Sequence, residues 1–383
     1  MKVLFVWHSL VEPEYRKIID ALQVAGVDVM AILPHEWREG GRDLKAGSLP
    51  QTSFRVFRTI NKNRINRFFF PNIAGVFETI RAFSPDILHL FEEPTSLVAL
   101  EFVGLVRIAS PRTKIVVQSF ENIWIDRTFP VSAIEKLVLR FSDCMITVPV
   151  EGFDIWKEKG FKGRMEQVPV GVDITLFSPS ESEKTNHPSS AGTRIGYAGR
   201  LVEEKGIYDL LEACMTLTET GHRITLVYRG NGPERDSLIK KAGELPPLLS
   251  LEVSPALPTL ELNGFYRSID ILVLPSKTTP IWKEQFGRVL IEAMACGVPV
   301  IGSSSGEIPH VISQGGLVFE EGNSDSLAEC LSCLIDTPAL YDRLSKMARK
   351  VAEQHYSWRS VAEKLAKTYG SILLGNDSRE GHS

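Results

Sequence analysis

The chain has 383 residues, of which 43% are hydrophobic and 23% charged, and this length and composition are typical of a globular protein with two domains. The formal net charge of −4 argues against nucleic acid as the main partner, because the chain has no basic excess to attract phosphates. No apolar run approaches the roughly 18 residues of a transmembrane helix, and the N-terminal run is too short for a signal peptide. Five scattered cysteines indicate reduced thiols, so we expect a cytoplasmic protein.

Short apolar strands alternate with helix-spaced apolar runs through the first half of the chain. This alternation predicts a parallel sheet that is covered by helices on both faces. The first predicted helix stops at Gly26, a common residue just beyond a helix C-terminus. The predicted strands cover 2–8, 27–33, 86–91, 114–119, 144–148 and 165–168, and the predicted helices cover 13–25, 73–83, 95–109, 131–141 and 152–159.

A polar stretch rich in serine and proline then interrupts the alternation, which predicts a linker. The alternation restarts after it, and a second parallel sheet is expected. The predicted strands there are 194–198, 223–229, 249–253, 271–274, 298–301 and 316–319, and the predicted helices are 206–218, 234–243, 257–267, 286–296, 327–335, 339–355 and 358–374. The predicted domain boundaries are a first domain over 1–177, a linker over 178–193, a second domain over 194–355, a C-terminal helix over 356–375 and a disordered tail over 376–383.

The loops that follow predicted strands are the places to look for a binding site, because ligands of open parallel sheets bind outside the carboxyl ends of the strands. The first such loop of the second domain is G-R-L-V-E-E-K-G, residues 199–206. Arg200 and Lys205 stand beside the start of a helix, where free N–H groups and the helix dipole favour an anion such as a diphosphate. The alternative is a pair of solvated surface cations.

The next loop is R-G-N-G-P-E, residues 229–234. Its two glycines allow the backbone to approach a ligand closely, and Pro233 starts a helix. The loop lacks the third glycine of a dinucleotide-binding turn, and a plain strand-to-helix turn explains it equally well.

The stretch E-Q-F-G-R-V-L-I-E places Glu284 in a loop and Glu292 in the helix that is expected to begin near Phe286 and Gly287. If all eight steps were helical, the two carboxylates would lie about 12 Å apart, which is too far to act on one bond as a glycosidase pair does. The separation suits the two ends of an elongated ligand, such as a sugar and a ribose, because a carboxylate accepts hydrogen bonds from diol hydroxyls. A solvated helix face is the alternative for Glu292, although its neighbours on both sides are apolar.

Together these motifs resemble glycosyltransferase family 4. Three further stretches share the resemblance: V-P-V-G-V-D-I-T-L-F-S-P at 168–179, A-C-G-V-P-V-I-G-S at 295–303 and Y-S-W-R-S-V-A-E-K-L at 356–365. The resemblance implies an α/β protein of the GT-B fold, in which two Rossmann-like domains have parallel sheets facing across a crevice. It also implies a C-terminal helix that crosses back to the first domain, and retaining chemistry on a nucleotide-diphosphate sugar.

The resemblance further implies a role for each residue of the second-domain motifs. Glu284 would contact hydroxyls of the donor sugar, Glu292 would contact the ribose, and Arg200 with Lys205 would clamp the diphosphate and stabilise the leaving group. No D-x-D motif is present, so we expect neither a metal nor a cofactor. The implied catalytic residues are Arg200, Lys205 and Glu284, and the implied donor-binding residues are Gly199, Arg200, Lys205, Gly230, Asn231, Ser254, Leu257, Glu284, Phe286, Gly287, Arg288, Val289 and Glu292.

The first domain departs from the family pattern. The loop after the first strand lacks the family's glycine pair, and Q-S-F-E-N-I-W at 118–124 lacks the family's histidine. Polar residues near predicted strand ends could contact an acceptor instead, although capping or packing explains each of them equally well. These residues are His8, Arg16, Glu93, Glu121 and Asn122, with Glu92 beside them. His89, inside a buried strand, is interpreted as a hydrogen-bonded core residue.

Residues 44–77 carry six cations and no acid, and phenylalanines are interleaved with the cations over 54–70. Such a basic-aromatic stretch can make peripheral contact with anionic lipid headgroups at the inner face of a membrane. It could also hold a polyprenyl-phosphate-linked acceptor or an acidic glycan. The alternative is a solvated loop whose rings join the core.

These observations lead to one main hypothesis and two alternatives. The main hypothesis is a retaining glycosyltransferase that moves a hexosyl or N-acetylhexosaminyl group from a UDP-sugar, favoured over a GDP-sugar, to a glycan or lipid-linked acceptor in polysaccharide or glycoconjugate biosynthesis. The acceptor would attack from the face of the departing diphosphate, and a donor phosphate oxygen would take the proton. The alternatives are a sugar-nucleotide epimerase or hydrolase on the same fold, and a non-catalytic nucleotide-sugar-binding module.

Overall fold

The computed structural model describes residues 1–39, 42–180, 188 and 192–375. The chain divides into two compact units, of which unit 1 comprises Met1–Gly171 with Trp358–Ser383 and unit 2 comprises Val172–Ser357. The expected boundary between residues 177 and 178 therefore falls inside unit 2. Most of the predicted linker 178–193 and the whole predicted tail 376–383 lie outside the described residues.

Unit 1 contains a seven-stranded sheet in which every neighbouring pair of strands is parallel. Its central strands are buried apolar runs, as a sheet covered on both faces requires. The strands are β1 Lys2–Val6, β2 Asp28–Pro34, β3 Glu36–Glu39, β4 Arg42–Lys45, β5 Phe54–Phe57, β6 Ile87–Leu90, β7 Lys114–Ser119, β8 Cys144–Thr147 and β9 Arg164–Gln167. The sheet order is β5-β2-β1-β6-β7-β8-β9, and β3 with β4 forms a separate antiparallel hairpin. Strands β3, β4 and β5 are not predicted from the sequence, because they are only four residues long and carry charged side chains.

The helices of unit 1 are α1 Lys17–Val24, α2 Ile73–Phe83, α3 Leu97–Ala109, α4 Val131–Phe141 and α5 Gly152–Glu158. The helix predicted over 13–25 is shorter in the structure, because 3₁₀ turns at His8–Val11 and Pro13–Arg16 precede it. The Arg16 guanidinium donates hydrogen bonds to the carbonyls of Leu10, Val11 and Ala46 at 2.7, 2.7 and 3.0 Å. These bonds satisfy two carbonyl groups of the first 3₁₀ turn and tie them to the carbonyl of Ala46 after β4, so Arg16 stabilises this part of unit 1.

Unit 2 contains a six-stranded parallel sheet. Its strands are β10 Thr193–Ala198, β11 Ile224–Arg229, β12 Leu249–Ser254, β13 Ile271–Leu274, β14 Val300–Ser303 and β15 Gly316–Phe319, in the order β12-β11-β10-β13-β14-β15. This is the order of a doubly wound nucleotide-binding sheet, with the reversal of direction between β10 and β13. The predicted α/β class with two parallel sheets is therefore confirmed.

The helices of unit 2 are α6 Ile207–Glu219, α7 Arg235–Lys241, α8 Thr259–Ser268, α9 Arg288–Ala295, α10 Ile308–Ile312, α11 Ser324–Asp336 and α12 Pro338–Val351. A π-helical turn, Ala352–Tyr356, continues α12. The helix predicted over 286–296 begins two residues later, because Gly287 has a left-handed φ of 80° and caps α9.

The C-terminal helix α13, Trp358–Leu373, is part of unit 1. Its Tyr369 hydroxyl lies 2.5 Å from Nδ1 of His89, and its Trp358 Nε1 donates to Glu14 at 3.0 Å. His89 is fully buried, and this burial lowers its pKa to about 3. The interpretation of His89 as a hydrogen-bonded core residue is confirmed.

The basic-aromatic stretch 54–70 contributes rings to the interior of unit 1. Phe54, Phe68 and Phe70 are buried, and the last two pack in the cluster that contains Trp37. The aromatic part of the expected lipid contact is wrong for these three rings, because a ring held in the core cannot enter a membrane. Among the helices of the described ranges, none is long and apolar enough to cross a bilayer.

Replacing Tyr369 by Phe should destabilise unit 1, because Nδ1 of the buried His89 loses its hydroxyl partner. We expect a loss of about 1–3 kcal/mol in the free energy of unfolding, measured by chemical denaturation. The matched control is Ser371→Ala on the same helix, where only a hydroxyl bond to the Thr368 carbonyl is lost. Equal effects of the two substitutions would show that the buried pair does not hold the helix.

Candidate functional site

The carboxylate of Glu284 contacts Lys205, so the stretch 284–292 and the loop 199–206 come together at this residue. Its Oε2 lies 2.5 Å from the Lys205 ammonium and accepts a hydrogen bond from the Ser276 hydroxyl at 2.8 Å. The N–H of Glu307 donates to the Glu284 carbonyl at 3.1 Å, which fixes the backbone as well. The sequence predicts a diphosphate at Lys205 and a sugar at Glu284. The structure brings these two groups into direct contact.

Lys205 is held on a second side by an aromatic ring. Its ammonium lies 4.5 Å from the centre of the Trp282 ring, within the range of a cation–π interaction. The side chains of Lys205 and Glu284 are only 13% and 11% exposed. Ion pairs screened from water in this way are stronger than surface pairs, so the ammonium has a defined position. The alternative of a solvated cation is wrong for Lys205.

Arg200 behaves differently from Lys205. Its side chain is 60% exposed, and its nearest acid is Glu204 at 3.7 Å. The Arg200 carbonyl accepts a hydrogen bond from the Tyr197 hydroxyl at 2.6 Å, so the backbone is fixed while the guanidinium extends into solvent. Such a cation can swing onto an anion without first leaving a buried partner.

Three neighbouring loops are joined through their backbones at the carboxyl ends of β10, β11 and β12. Gly199 N–H donates to the Arg229 carbonyl at 3.0 Å, Leu201 N–H to Asn231 at 2.9 Å, and Gly230 N–H to Ser254 at 3.0 Å. Asn231 is exposed at this edge, and Ser254 and Leu257 are half-buried. The predicted donor-binding residues of these loops therefore lie at one edge of the sheet.

The glycines of these loops are needed for contacts within the protein. A Cβ on Gly230 would lie 1.8 Å from the Gly199 carbonyl oxygen, and one on Gly232 would lie 2.1 Å from that of Leu201. Protein backbone fills the space in the Cβ direction of both glycines, and the expected close approach of a ligand to this loop stays a prediction.

Glu292 lies on the second turn of α9 and is 3% exposed. Its Oε1 pairs with Arg288 Nε at 2.9 Å, and its Oε2 accepts a hydrogen bond from the Tyr266 hydroxyl at 2.6 Å. Burial raises its pKa, against the opposing effects of Arg288 and Tyr266. The alternative of a solvated helix face is wrong for Glu292. Both oxygens keep lone pairs that a ribose diol could share, since a carboxylate has about four acceptor positions.

The path from Glu284 to Glu292 is not one helix. Phe286 and Gly287 are buried and precede α9, in which Arg288 and Val289 are the first residues. The helical rise of about 12 Å therefore does not apply to this pair of carboxylates. The first turn of α9 has no side-chain cap among its described contacts.

In unit 1, His8 and Glu92 form a buried pair at the carboxyl ends of β1 and β6. The His8 Nδ1 lies 2.8 and 3.0 Å from the two Glu92 oxygens, and the His8 N–H donates to Oε1 at 2.7 Å. The Arg16 guanidinium donates to the carbonyls of Leu10, Val11 and Ala46, which gives it a structural role, and its expected contact with an acceptor substrate stays a prediction.

Glu93 and Glu121 belong to two adjacent polar clusters. Glu93 accepts hydrogen bonds from the Ser119 hydroxyl and the Phe120 N–H, both at 2.7 Å. Burial raises the pKa of Glu93 to about 7. Glu121 pairs with Lys159 at 3.0 Å, and Asn122 beside it is buried. Glu93, Glu121 and Asn122 thus lie near the carboxyl ends of β6 and β7, as expected from the sequence.

The sequence motifs do not single out Ser276, Trp282 or Tyr266 as site residues. Ser276 lies two residues after the end of β13, and this position just after a strand could have identified it. Tyr266 lies in α8, and nothing in its sequence neighbourhood connects it with Glu292. Across the described ranges, no three His, Cys, Asp or Glu side chains are grouped as metal ligands.

Residues 180–351 match a family described as Glycosyl transferases group 1. The glycogen synthase of Mycobacterium tuberculosis is 27% identical over 307 residues, which are 78% of this chain and 71% of that protein. D-inositol 3-phosphate glycosyltransferase 1 of Catenulispora acidiphila is 30% identical over 235 residues, 56% of this chain and 54% of that protein. The capsular polysaccharide biosynthesis glycosyltransferase CapM of Staphylococcus aureus is 28% identical over 187 residues, 48% of each chain.

Two solved structures share the fold. HepE of Anabaena in complex with UDP has a TM-score of 0.71 at 18% identity, with 97% of this chain and 100% of that chain covered. Sucrose-phosphate synthase of Thermosynechococcus elongatus has a TM-score of 0.67 at 18% identity, with 98% and 100% covered. The predicted GT-B fold is confirmed. The family match and the relatives support glycosyl transfer as the reaction class, whereas the family number and the stereochemical outcome stay predictions.

Replacing Gly206 by Ala should destabilise the site, because a Cβ there would lie 1.9 Å from the Pro275 carbonyl oxygen. We expect a loss of at least about 2 kcal/mol in the free energy of unfolding. Gly221→Ala is the matched control, since Gly221 also has a positive φ but nothing within 4 Å of its Cβ position. The control should cost about 1 kcal/mol. Equal losses would contradict the steric argument.

The raised pKa of Glu93 predicts that the free energy of unfolding depends on pH. Between its usual value of 4.5 and about 7, the unfolded chain releases the Glu93 proton while the folded protein keeps it. The stability contributed by this group therefore falls as pH rises through that window and is constant above it. Glu93→Gln should remove this decrease, which amounts to about 3 kcal/mol in the free energy of unfolding between pH 4.5 and about pH 7. The measurement is chemical denaturation at several pH values. Glu261→Gln, at an exposed position of α8, is the control and should leave this decrease unchanged.

Proposed function

We propose that the protein is a retaining glycosyltransferase that moves a hexosyl or N-acetylhexosaminyl group from a nucleotide-diphosphate sugar to a glycan or lipid-linked acceptor. UDP is favoured over GDP as the nucleotide. The family match of residues 180–351 supports the reaction class. A capsular polysaccharide enzyme among the relatives supports a place in polysaccharide or glycoconjugate biosynthesis.

The contact between Lys205 and Glu284 carries this proposal. An ammonium group has three N–H donors, so Lys205 can hold Glu284 and still donate to a phosphate oxygen. Glu284 in turn keeps lone pairs for the hydroxyls of a sugar. One ion pair can thus connect the sugar end of a donor to its diphosphate.

The proposed reaction proceeds on one face of the sugar. The bond between the anomeric carbon and the phosphate oxygen breaks, and the acceptor oxygen forms its bond on the same face. The acceptor proton passes to a phosphate oxygen of the departing nucleoside diphosphate, so no protein nucleophile is needed. Arg200 and Lys205 stabilise the negative charge that develops on the leaving group.

The remaining donor contacts follow from the positions of the loops. The N–H groups around Phe286 and Gly287 hold the sugar and the distal phosphate at the start of α9. Glu292 binds the ribose, with Arg288 and Tyr266 fixing its carboxylate. The nucleotide base of the donor lies near residues 254–257. Because two cations neutralise the diphosphate, we propose transfer without a metal, and activity should persist in excess EDTA.

The first test is a thermal-shift screen with UDP-, GDP- and ADP-sugars, because a ligand of the folded state raises the melting temperature. The sugar that gives a shift is then incubated with and without candidate acceptors. Nucleotide release that requires an acceptor, with an unchanged anomeric configuration by NMR, is the expected result. Release without acceptor would indicate a hydrolase, an altered free sugar nucleotide would indicate an epimerase, and binding without turnover would indicate a non-catalytic module.

Arg200→Ala should lower kcat/KM by about 100-fold, because the leaving diphosphate loses a cation in the transition state. The side chain is exposed, so the fold should be unaffected. Arg223→Ala is the matched control, since Arg223 is an exposed arginine that precedes β11, at the opposite edge of the same sheet. An equal loss of kcat/KM in the two variants would refute the proposal that Arg200 stabilises the leaving diphosphate.

A further inference from the structure

The segment 124–141 exposes large apolar side chains that are close together in the chain. Phe129 is 83% exposed and Trp124 is 49% exposed, and Ile125, Leu137 and Phe141 are exposed as well. We call residues 124–141 the α4 surface. Exposed apolar side chains that group together on a surface mark interaction sites, whereas single ones are common on any protein.

The geometry of α4 places cations among these apolar groups. Leu137 and Phe141 are four residues apart, as are Lys136 and Arg140, so all four share one side of the helix. All four are exposed. The opposite side of α4 carries the buried Val138 and Leu139, which pack in the core. One side of α4 therefore packs in the core, and the other side exposes apolar and cationic side chains.

Within residues 101–142, exposed cations outnumber exposed acids. Just beyond this range, Asp143 is half-buried and pairs with Lys114 at 2.9 Å. Residues 101–142 contain four acids, and Asp126 is the exposed one. Glu121 and Glu135 are buried and both bind Lys159, at 3.0 and 2.7 Å. Glu101 is half-buried and accepts a hydrogen bond from the Phe70 N–H. Exposed positive charges therefore outnumber exposed negative charges within residues 101–142.

Helix α3 connects this surface to the basic stretch 54–70. Its Arg107 donates to the Phe141 carbonyl at 2.6 Å, and the adjacent Ile108 is 72% exposed. On its other side α3 packs against the 3₁₀ turn Ile65–Arg67, where Arg67 and the preceding Arg64 are exposed. Cations from both segments thus flank one helix.

We propose that the α4 surface binds a lipid bilayer that contains anionic headgroups. Trp and Phe side chains favour the boundary between headgroups and acyl chains, and lysine and arginine beside them are attracted to anionic lipids. A second copy of this chain fits the surface poorly, because a two-fold contact brings the same surface of both copies together and thus cations close to cations. This inference is independent of the proposed donor site.

The test is co-sedimentation of the full chain with vesicles of pure phosphatidylcholine or of equal parts phosphatidylcholine and phosphatidylglycerol. We expect binding to the anionic vesicles only, and weaker binding at high salt. Lys136→Glu with Arg140→Glu should weaken binding by at least about 20-fold, since each cation contributes about fivefold. Trp124→Ser with Phe129→Ser should reduce binding even at low salt.

Matched controls lie on α1. Val24 is 85% exposed and Lys17 is exposed, so Val24→Ser and Lys17→Glu test the same changes away from the α4 surface. Both controls should bind as the unchanged protein does, and circular dichroism should show that every variant is folded. Absence of binding to anionic vesicles, or equal losses in variants and controls, would overturn the proposal. So would concentration-dependent dimers that Phe129→Ser dissociates, because the surface would then contact a second copy.

Discussion

The ion pair between Lys205 and Glu284 is the interaction on which the candidate site depends. Both side chains are largely withdrawn from water, where an unpaired charge is strongly disfavoured. Removing either partner from such a pair typically costs about 3–5 kcal/mol. Ser276 and Trp282 contact the same two groups, so the carboxylate and the ammonium hold each other at a fixed place before any donor arrives. Their geometry is therefore part of the folded structure.

The backbone beneath this pair is arranged for close contact. Gly206 packs against the Pro275 carbonyl, Gly230 against that of Gly199, and Gly306 against that of Glu284. Side chains at these positions would separate the loops that follow β10, β11, β13 and β14. The parallel sheet brings these loops to one edge, and the glycines allow them to touch. The chemistry at this edge thus depends on residues that themselves carry no functional group.

Much of this arrangement was accessible from the sequence. The alternation of apolar runs predicted the two parallel sheets, because strands buried on both faces must be apolar throughout. Motifs after strands predicted Lys205, Glu284 and Glu292, since the carboxyl ends of parallel strands share an edge. The hairpin of β3 and β4 was missed, because two four-residue strands of mixed polarity give no periodic signal. The contacts of Tyr266 with Glu292 and of Glu92 with His8 could not be predicted from the sequence, because tertiary packing alone brings these residues together.

The position of α13 has a consequence for how the chain folds during synthesis. Tyr369 contacts His89 across 280 residues of sequence, and the whole of unit 2 lies between the two parts of unit 1. The ribosome therefore delivers every residue of unit 2 before it delivers α13. Unit 2 can complete its sheet while the helix that packs on β6 is still missing from unit 1. Residues 1–171 are thus made before unit 2, but they lack α13 until unit 2 has been made. Until then His89 has no Tyr369 hydroxyl to bond.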